Sequence, residues 1–182
     1  MVSKLKGKEW YQIVAPKFFG DFVIGETLAF NSEQLKGRVI ETSLSDLTGD
    51  VNKYYIKLFF KVENVNGSSA VTQFVGHDCT RDFIARIVQS RTTRIDTNDT
   101  IDLKDKKMIV KCIAITNRKV SGQLESKIRK LVSQLVISEL SKMKTEEFIR
   151  EMIDGTIQQR IRKSVSKVYP LRFFEFRRTE MI

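Results

Sequence analysis

The run Y-Y-I-K-L-F-F-K-V from Tyr54 to Val62, followed by N-V-N-G-S-S from Asn64 to Ser69, decides the fold class. Tyr54, Ile56, Leu58, Phe60 and Val62 fall on one side of an extended chain, and Tyr55, Lys57, Phe59 and Lys61 on the other. Alternation with a period of two is a strand with one dry and one partly wet face. Asn and Gly tolerate positive φ, so 64–69 predicts a turn, with Ala70–Gly76 returning as the hairpin partner. A hairpin is not stable alone, so other strands must share its core. Glu9–Ala15 reads as extended chain ended by Pro16, and Arg38–Leu44 alternates again. Lys107–Thr116 sets Met108, Val110, Cys112 and Ala114 on one face, and Leu171–Arg178 is Phe-rich and ends in a basic pair.

Helical spacing appears between these strands. Thr80 can cap a helix whose apolar stripe is Phe83, Ile84, Ile87 and Val88. Ser121 can cap a longer one carrying Leu124, Ile128, Leu131, Val132, Leu135 and Val136. Thr145, Glu146 and Glu147 open a third run, since acids suit a helix N-terminus. Gly155 interrupts it, and Ile157, Ile161, Val165 and Val168 continue the period until Pro170. The pattern predicts an α+β protein: a mostly antiparallel, barrel-like sheet with helices concentrated in the C-terminal half. The expected organisation is a single domain over 1–182. A basic arm covers about 1–8, and a β-rich core about 9–117 with one helix near 81–93. A helical region covers about 121–168, and a final strand about 171–178.

Composition bounds the function. The 182 residues hold 32 Lys and Arg against 22 Asp and Glu, a net charge of +10. Residues 1–117 carry 17 basic and 14 acidic side chains, and 118–182 carry 15 and 8, so the excess lies toward the C-terminus. A balance this basic suits a polyanion, nucleic acid before others. The longest uncharged stretch, Asn64–His77, is largely polar, so no bilayer span is expected; no apolar segment follows Lys4, Lys6 and Lys8, so no signal peptide is expected either. Cys79 and Cys112 stand apart, which supports neither a disulfide scaffold nor structural zinc and suits a reducing cytoplasm.

Catalytic motifs are absent: no phosphate-binding glycine loop, no dinucleotide fingerprint and no nucleophile elbow. His77-Asp78-Cys79 holds the one His, two residues from a thiol, with no orienting group for catalysis. Asp96, Asp99, Asp102 and Asp105 recur at a spacing of three, which can hold Mg²⁺ in an RNA-processing nuclease, yet Thr97, Asn98 and Thr100 predict an exposed turn with solvated acids. No enzyme activity, metal or cofactor is expected. The basic groups carry more weight. Arg118, Lys119, Lys127, Arg129 and Lys130 follow a strand end and open a helix, a geometry that can track a phosphate backbone. With the arm Lys4, Lys6 and Lys8 they are the leading RNA-binding candidates, and Lys36, Arg38, Arg81, Arg86, Arg91 and Arg94 follow. No DNA-recognition module or aromatic RNA-stacking signature is visible, so folded RNA read by phosphates and shape is favoured. A free RNA chaperone is the other alternative to the nuclease.

Several spaced blocks carry a resemblance. E-W-Y-Q-I-V-A-P (Glu9–Pro16), K-G-R-V-I-E-T-S-L-S-D-L (Lys36–Leu47), G-H-D-C-T-R-D (Gly76–Asp82), R-I-D (Arg94–Asp96) and V-Y-P-L-R-F-F-E-F-R-R (Val168–Arg178) resemble the small-subunit ribosomal protein S-three-A-e (S3Ae) family, in its shorter archaeal form. The resemblance covers about residues 8–178 and implies a non-catalytic constituent of the small ribosomal subunit. It implies contacts with small-subunit rRNA, with neighbouring platform ribosomal proteins and with the region of the mRNA exit, in a ribosome-bound cytoplasmic setting. The family's basic loop corresponds to Arg118–Lys130, diluted here by Val120, Ser121 and Gly122.

Overall fold

The computed structural model describes residues 7–182; Lys4 and Lys6 of the expected arm lie outside the described residues. The chain divides into two compact units, the first ending at His77 and the second running Asp78–Ile182.

The first unit contains β1 (Glu9–Val14), β2 (Val23–Ala29), β3 (Val39–Ser43), a short helix α1 (Leu44–Thr48), β4 (Ile56–Asn66) and β5 (Ser69–Cys79), whose last two residues pass into the second unit. The strands follow the order β2-β1-β5-β4-β3. β1 pairs β2 antiparallel and β5 in parallel, and β3 pairs β4 antiparallel. The alternation in β4 is kept: Ile56, Leu58, Phe60 and Val62 are all buried, and Phe60 meets Phe74 of β5 edge-on with ring centres 6.1 Å apart. Tyr11, Ala29, Leu35, Val62 and Ala70 close a second part of this core. β2 was not visible in the sequence. V-I-G-E-T-L-A has a glycine at its third position and no run of strand formers; antiparallel pairing with β1, from Glu9↔Ala29 to Val14↔Val23, holds it extended.

The second unit contains α2 (Arg81–Ile87), β6 (Arg94–Asp102), β7 (Lys107–Thr116), α3 (Gly122–Leu140), α4 (Thr145–Asp154), α5 (Thr156–Val165) and β8 (Leu171–Met181). β7 is the middle strand, antiparallel to both β6 and β8. Helix α3 packs against β6 and against α5, and α5 packs against β8. The buried positions of α3, Ile128, Val132, Val136 and Leu140, recur every four residues, so one stripe faces the sheet. Phe148 of α4 is fully buried and meets Phe176 of β8 edge-on at 5.5 Å; burial of two such rings contributes on the order of 2–3 kcal/mol each.

Four expectations change. In neither unit do the strands close into a barrel, so the sheet is open. The helix near 81–93 ends at Ile87, because Val88 turns extended (φ −82, ψ 109) and Arg91 adopts φ 68. The acidic stretch from Asp96 to Asp102 is strand β6, not a turn: Ile95, Thr97 and Ile101 point inward at 0, 7 and 1% exposure, and Asp96, Asn98 and Thr100 point out. The last strand runs on to Met181. Thr80 and Ser121 do stand at the N-cap positions of α2 and α3, but neither side chain accepts a capping hydrogen bond.

Gly155 ends α4 and starts α5 with φ 78. Nothing lies within 4 Å of an added Cβ, so only the left-handed backbone demands glycine. Gly155→Ala is expected to lower stability by about 1–2 kcal/mol, seen as a lower urea midpoint. Gly122→Ala, at an open position in the first turn of α3 where φ is not left-handed, is expected to shift that midpoint little or slightly upward.

Glu175 of β8 keeps an exposed edge, but its carboxylate is enclosed. Burial pushes its pKa up, against hydrogen bonds donated by Gln158 Nε2 (2.9 Å) and the Phe176 amide (3.2 Å). The folded protein therefore holds this proton at a pH where the unfolded chain has released it. Its contribution to stability is greatest below the ordinary Glu value of about 4.3 and declines as pH rises through the elevated one. Glu175→Gln should flatten that decline in urea titrations run across this range; superimposable pH profiles for the two proteins would contradict the assignment.

Candidate nucleic-acid interface

The basic residues singled out in the sequence do not behave alike. In the first unit, Lys8 Nζ lies 5.1 Å from the centre of the Phe30 ring. Arg38 is committed to structure: it donates to Thr27 Oγ1 (2.9 Å), Gln34 O (3.1 Å) and Leu28 O (3.3 Å), tying β2 to the segment before β3. Lys36 is exposed, and its side chain makes no ion pair among the described residues.

In the second unit three arginines meet. Arg81, Arg94 and Arg177 line one open cavity of about 450 Å³ with Ile84, Ala85 and Val88. The positions 81, 84 and 85 share one face of α2 by helical spacing, and Val88, extended just past its end, adds to the apolar floor below the arginine. Arg94 opens β6 and is fixed by Asp96, with Nε 2.9 Å from Oδ2 and Nη2 3.0 Å from Oδ1. Arg177 owes its place to a backbone irregularity. Across the β7–β8 pair, Lys111 faces Arg178 and Cys112 faces Phe176. Arg177 is the extra residue between them, a β-bulge, and bulges re-aim a side chain out of the alternation. Arg81 and Arg177 make no ion pair or hydrogen bond within the described residues. Arg178, beside it, is spent on Asp78 (3.6 Å) and Glu180. The pair Arg177–Arg178 is visible as basic in the sequence, but the bulge that separates the two roles is not.

A second concavity of about 350 Å³ lies between β6 and α3. Asp96, Asp99, Arg129, Lys130 and Ser133 line it with polar neighbours. Arg129 pairs with Glu125 one turn earlier, N to O 2.5 Å, while Lys130 has no carboxylate partner within the described residues. Asp96 belongs to this concavity and holds Arg94 of the first, so the two sites share an ion pair. Lys127, Arg118 and Lys119 are exposed. The chain after β7 is anchored by Thr116 Oγ1, which donates to Arg118 O (2.6 Å), and by Thr93 Oγ1, which accepts from Val120 N (3.1 Å). Arg86 stacks over Phe83 at 5.8 Å, and Arg91 is exposed on its left-handed turn.

The four acids do not converge. On a strand, a spacing of three sends successive residues to opposite faces. Asp96 pairs with Arg94 and Asp102 with Lys107 (3.4 Å). Asp99 Oδ1 accepts from Ser133 Oγ on α3. Asp105 accepts from the Thr145 amide at the start of α4 (3.0 Å). Burial works to raise the Asp105 pKa, but the hydrogen bond from the Thr145 amide and the charge of Lys106 act against it and the value is lowered. Among the described residues no three of His, Cys, Asp and Glu gather as metal ligands. The Cys79 thiol is pushed far up by burial and donates to Phe176 O (3.3 Å), so it is not a thiolate nucleophile, and Cys112 is buried likewise.

A guanidinium fixed by a carboxylate beside unpaired cations has the chemistry to neutralise and orient an anion such as phosphate. The family model described as the Ribosomal S3Ae family matches residues 1–182. A protein named small ribosomal subunit protein eS1 from Sulfurisphaera tokodaii is 35% identical over 181 residues, covering 99% of this chain and 94% of that one. Proteins of the same name from Methanothrix thermoacetophila and Saccharolobus islandicus are 38% and 32% identical, each over 99% of this chain and over 86% and 87% of their own lengths.

Proposed function

The chain belongs to the ribosomal S3Ae family, and from that premise we propose that it is a structural constituent of the small ribosomal subunit that binds small-subunit rRNA through the basic surface of its second unit. The single observation that carries the RNA contact is the convergence of Arg81, Arg94 and Arg177 on one cavity, two of them without a carboxylate partner. A folded monomer gains nothing from like charges held together, and a polyanion relieves the repulsion. Lys130, Lys127, Arg118 and Lys119 extend the cationic surface at the start of α3. Arg129 adds charge while its i,i+4 partner Glu125 offsets part of it. Lys4, Lys6, Lys8, Lys36, Arg86 and Arg91 serve as further phosphate contacts, and Arg38 acts by holding β2.

The location that goes with this role is the ribosome in the cytoplasm, on the platform near the mRNA exit and against neighbouring ribosomal proteins. That reading rests on the family resemblance. Exposed apolar side chains of the first unit, among them Trp10, Phe22 and Val39, are suited to protein neighbours. The role proposed is positional, and no residue is assigned chemistry.

Binding of the full chain to small-subunit rRNA should weaken steeply with salt, because every neutralised phosphate releases counterions. Each contact contributes about −0.7 to −0.9 to the slope of log K against log salt. Arg129→Ala with Lys130→Ala should therefore flatten the slope by roughly 1.5 in filter-binding titrations. An unchanged slope removes the start of α3 from the interface.

A further inference from the structure

The cavity in the second unit has a feature that a phosphate-tracking surface does not need, namely its apolar floor. Ile84 is buried there, Ala85 lies beside it on α2, and Val88, just past the end of the helix, lines the same cavity. A duplex backbone is a convex ridge of phosphates and sugars, which flat or grooved cationic surfaces serve equally well. A concave site with cations at its rim and hydrocarbon beneath fits a ligand that is anionic at one end and apolar at the other. The volume of about 450 Å³ falls within the ordinary range for small-ligand sites. The rigid parts are the right ones. Arg94 is immobilised by two contacts with Asp96, so its guanidinium plane is fixed. Arg177 is delivered by a bulge, and Arg81 has no competing partner within the described residues.

We propose that this cavity is a pocket for one unstacked nucleotide of RNA. Arg81 and Arg177 hold its phosphate, and its base lies on Ile84, Ala85 and Val88 against the Arg94 guanidinium. The inference rests on the RNA-binding reading above and goes beyond it in naming the element recognised, a bulged or splayed nucleotide. Splayed bases stack on guanidinium planes, and that contact tolerates any base because each has a π-face. The apolar floor offers no hydrogen-bond code, so the pocket selects for a nucleotide out of the helix and not for its sequence. A carboxylate of an acidic protein segment would satisfy one guanidinium and leave the floor uncovered.

The test uses the full chain and two labelled RNA hairpins of the same stem, one fully paired and one with a single bulged nucleotide, followed by fluorescence anisotropy. The bulged hairpin should bind about tenfold more tightly. Arg81→Ala with Arg177→Ala should abolish that preference while paired-hairpin binding persists through the α3 contacts. Arg177→Lys, which keeps the charge but loses the fork, should lose most of the preference with little change in salt slope. Equal affinity for the two hairpins, or a preference that survives the double substitution, overturns the pocket while leaving general RNA binding intact. Failure to bind either hairpin overturns the RNA reading itself. Displacement of bound RNA by a glutamate decapeptide, with no advantage for the bulge, overturns the proposal and assigns the cavity to an acidic protein segment.

Discussion

Burial of β7 between β6 and β8 sets the positions of Arg94 and Arg177 in the second unit. From Cys112 to Thr116 both faces of this strand are covered. A strand dry on both faces cannot slip in register without breaking the close packing on each of them, so its neighbours are fixed too. β6 then places Arg94 and Asp96, and the chain leaving β7 feeds Arg118, Lys119 and the start of α3. β8 carries the extra residue that turns Arg177 out of line. The unpaired cations come from three different elements: Arg81 opens α2, Lys130 lies on the outer face of α3, and Arg177 stands at the bulge of β8.

The electrostatic pattern follows a division of labour. Acidic residues are mostly consumed in local pairing: Asp50 by Asn52 and Lys53, Glu139 and Glu151 by Arg160, Asp78 and Glu180 by Arg178. Exposed pairs of this sort contribute little to stability, on the order of 0–1 kcal/mol each. Their larger consequence is which cations they leave over. Arg160 and Arg178 are neutralised in place, whereas Arg81, Arg177 and Lys130 have no carboxylate partner among the described residues. Net charge counts all of them equally, so the total of +10 does not distinguish paired cations from unpaired ones.

Much of the fold was legible in the sequence because its signals are local. The alternation in Tyr54–Val62, the turn at Gly67, the four-residue period of α3 and the break at Gly155 each depend on a few adjacent residues. What was not legible depends on pairing. In β2 the strand formers Val23, Ile24 and Thr27 are interrupted by Gly25 and Glu26, and pairing with β1 supplies the ladder that holds it extended. Asp96–Asp102 has turn-like composition, yet pairing of nine successive residues with β7 overrides it. The same holds at the site. Arg81 and Arg94 were legible as basic residues, and Arg94–Asp96 as a block, but their meeting with Arg177 requires three elements distant in sequence. Arg38 shows the reverse failure, a surface-type residue whose Nε and Nη1 donate to the backbone and side chain of its neighbours.

The central claim is that the second unit presents its unpaired arginines to RNA. Ultraviolet cross-linking of the full chain within assembled small subunits, followed by peptide mapping, addresses it directly. The account predicts cross-linked peptides from the segments that hold Arg81, Arg94 and Arg177, together with the chain after β7. Cross-links confined to residues before His77, or an absence of the protein from the particles, would contradict it.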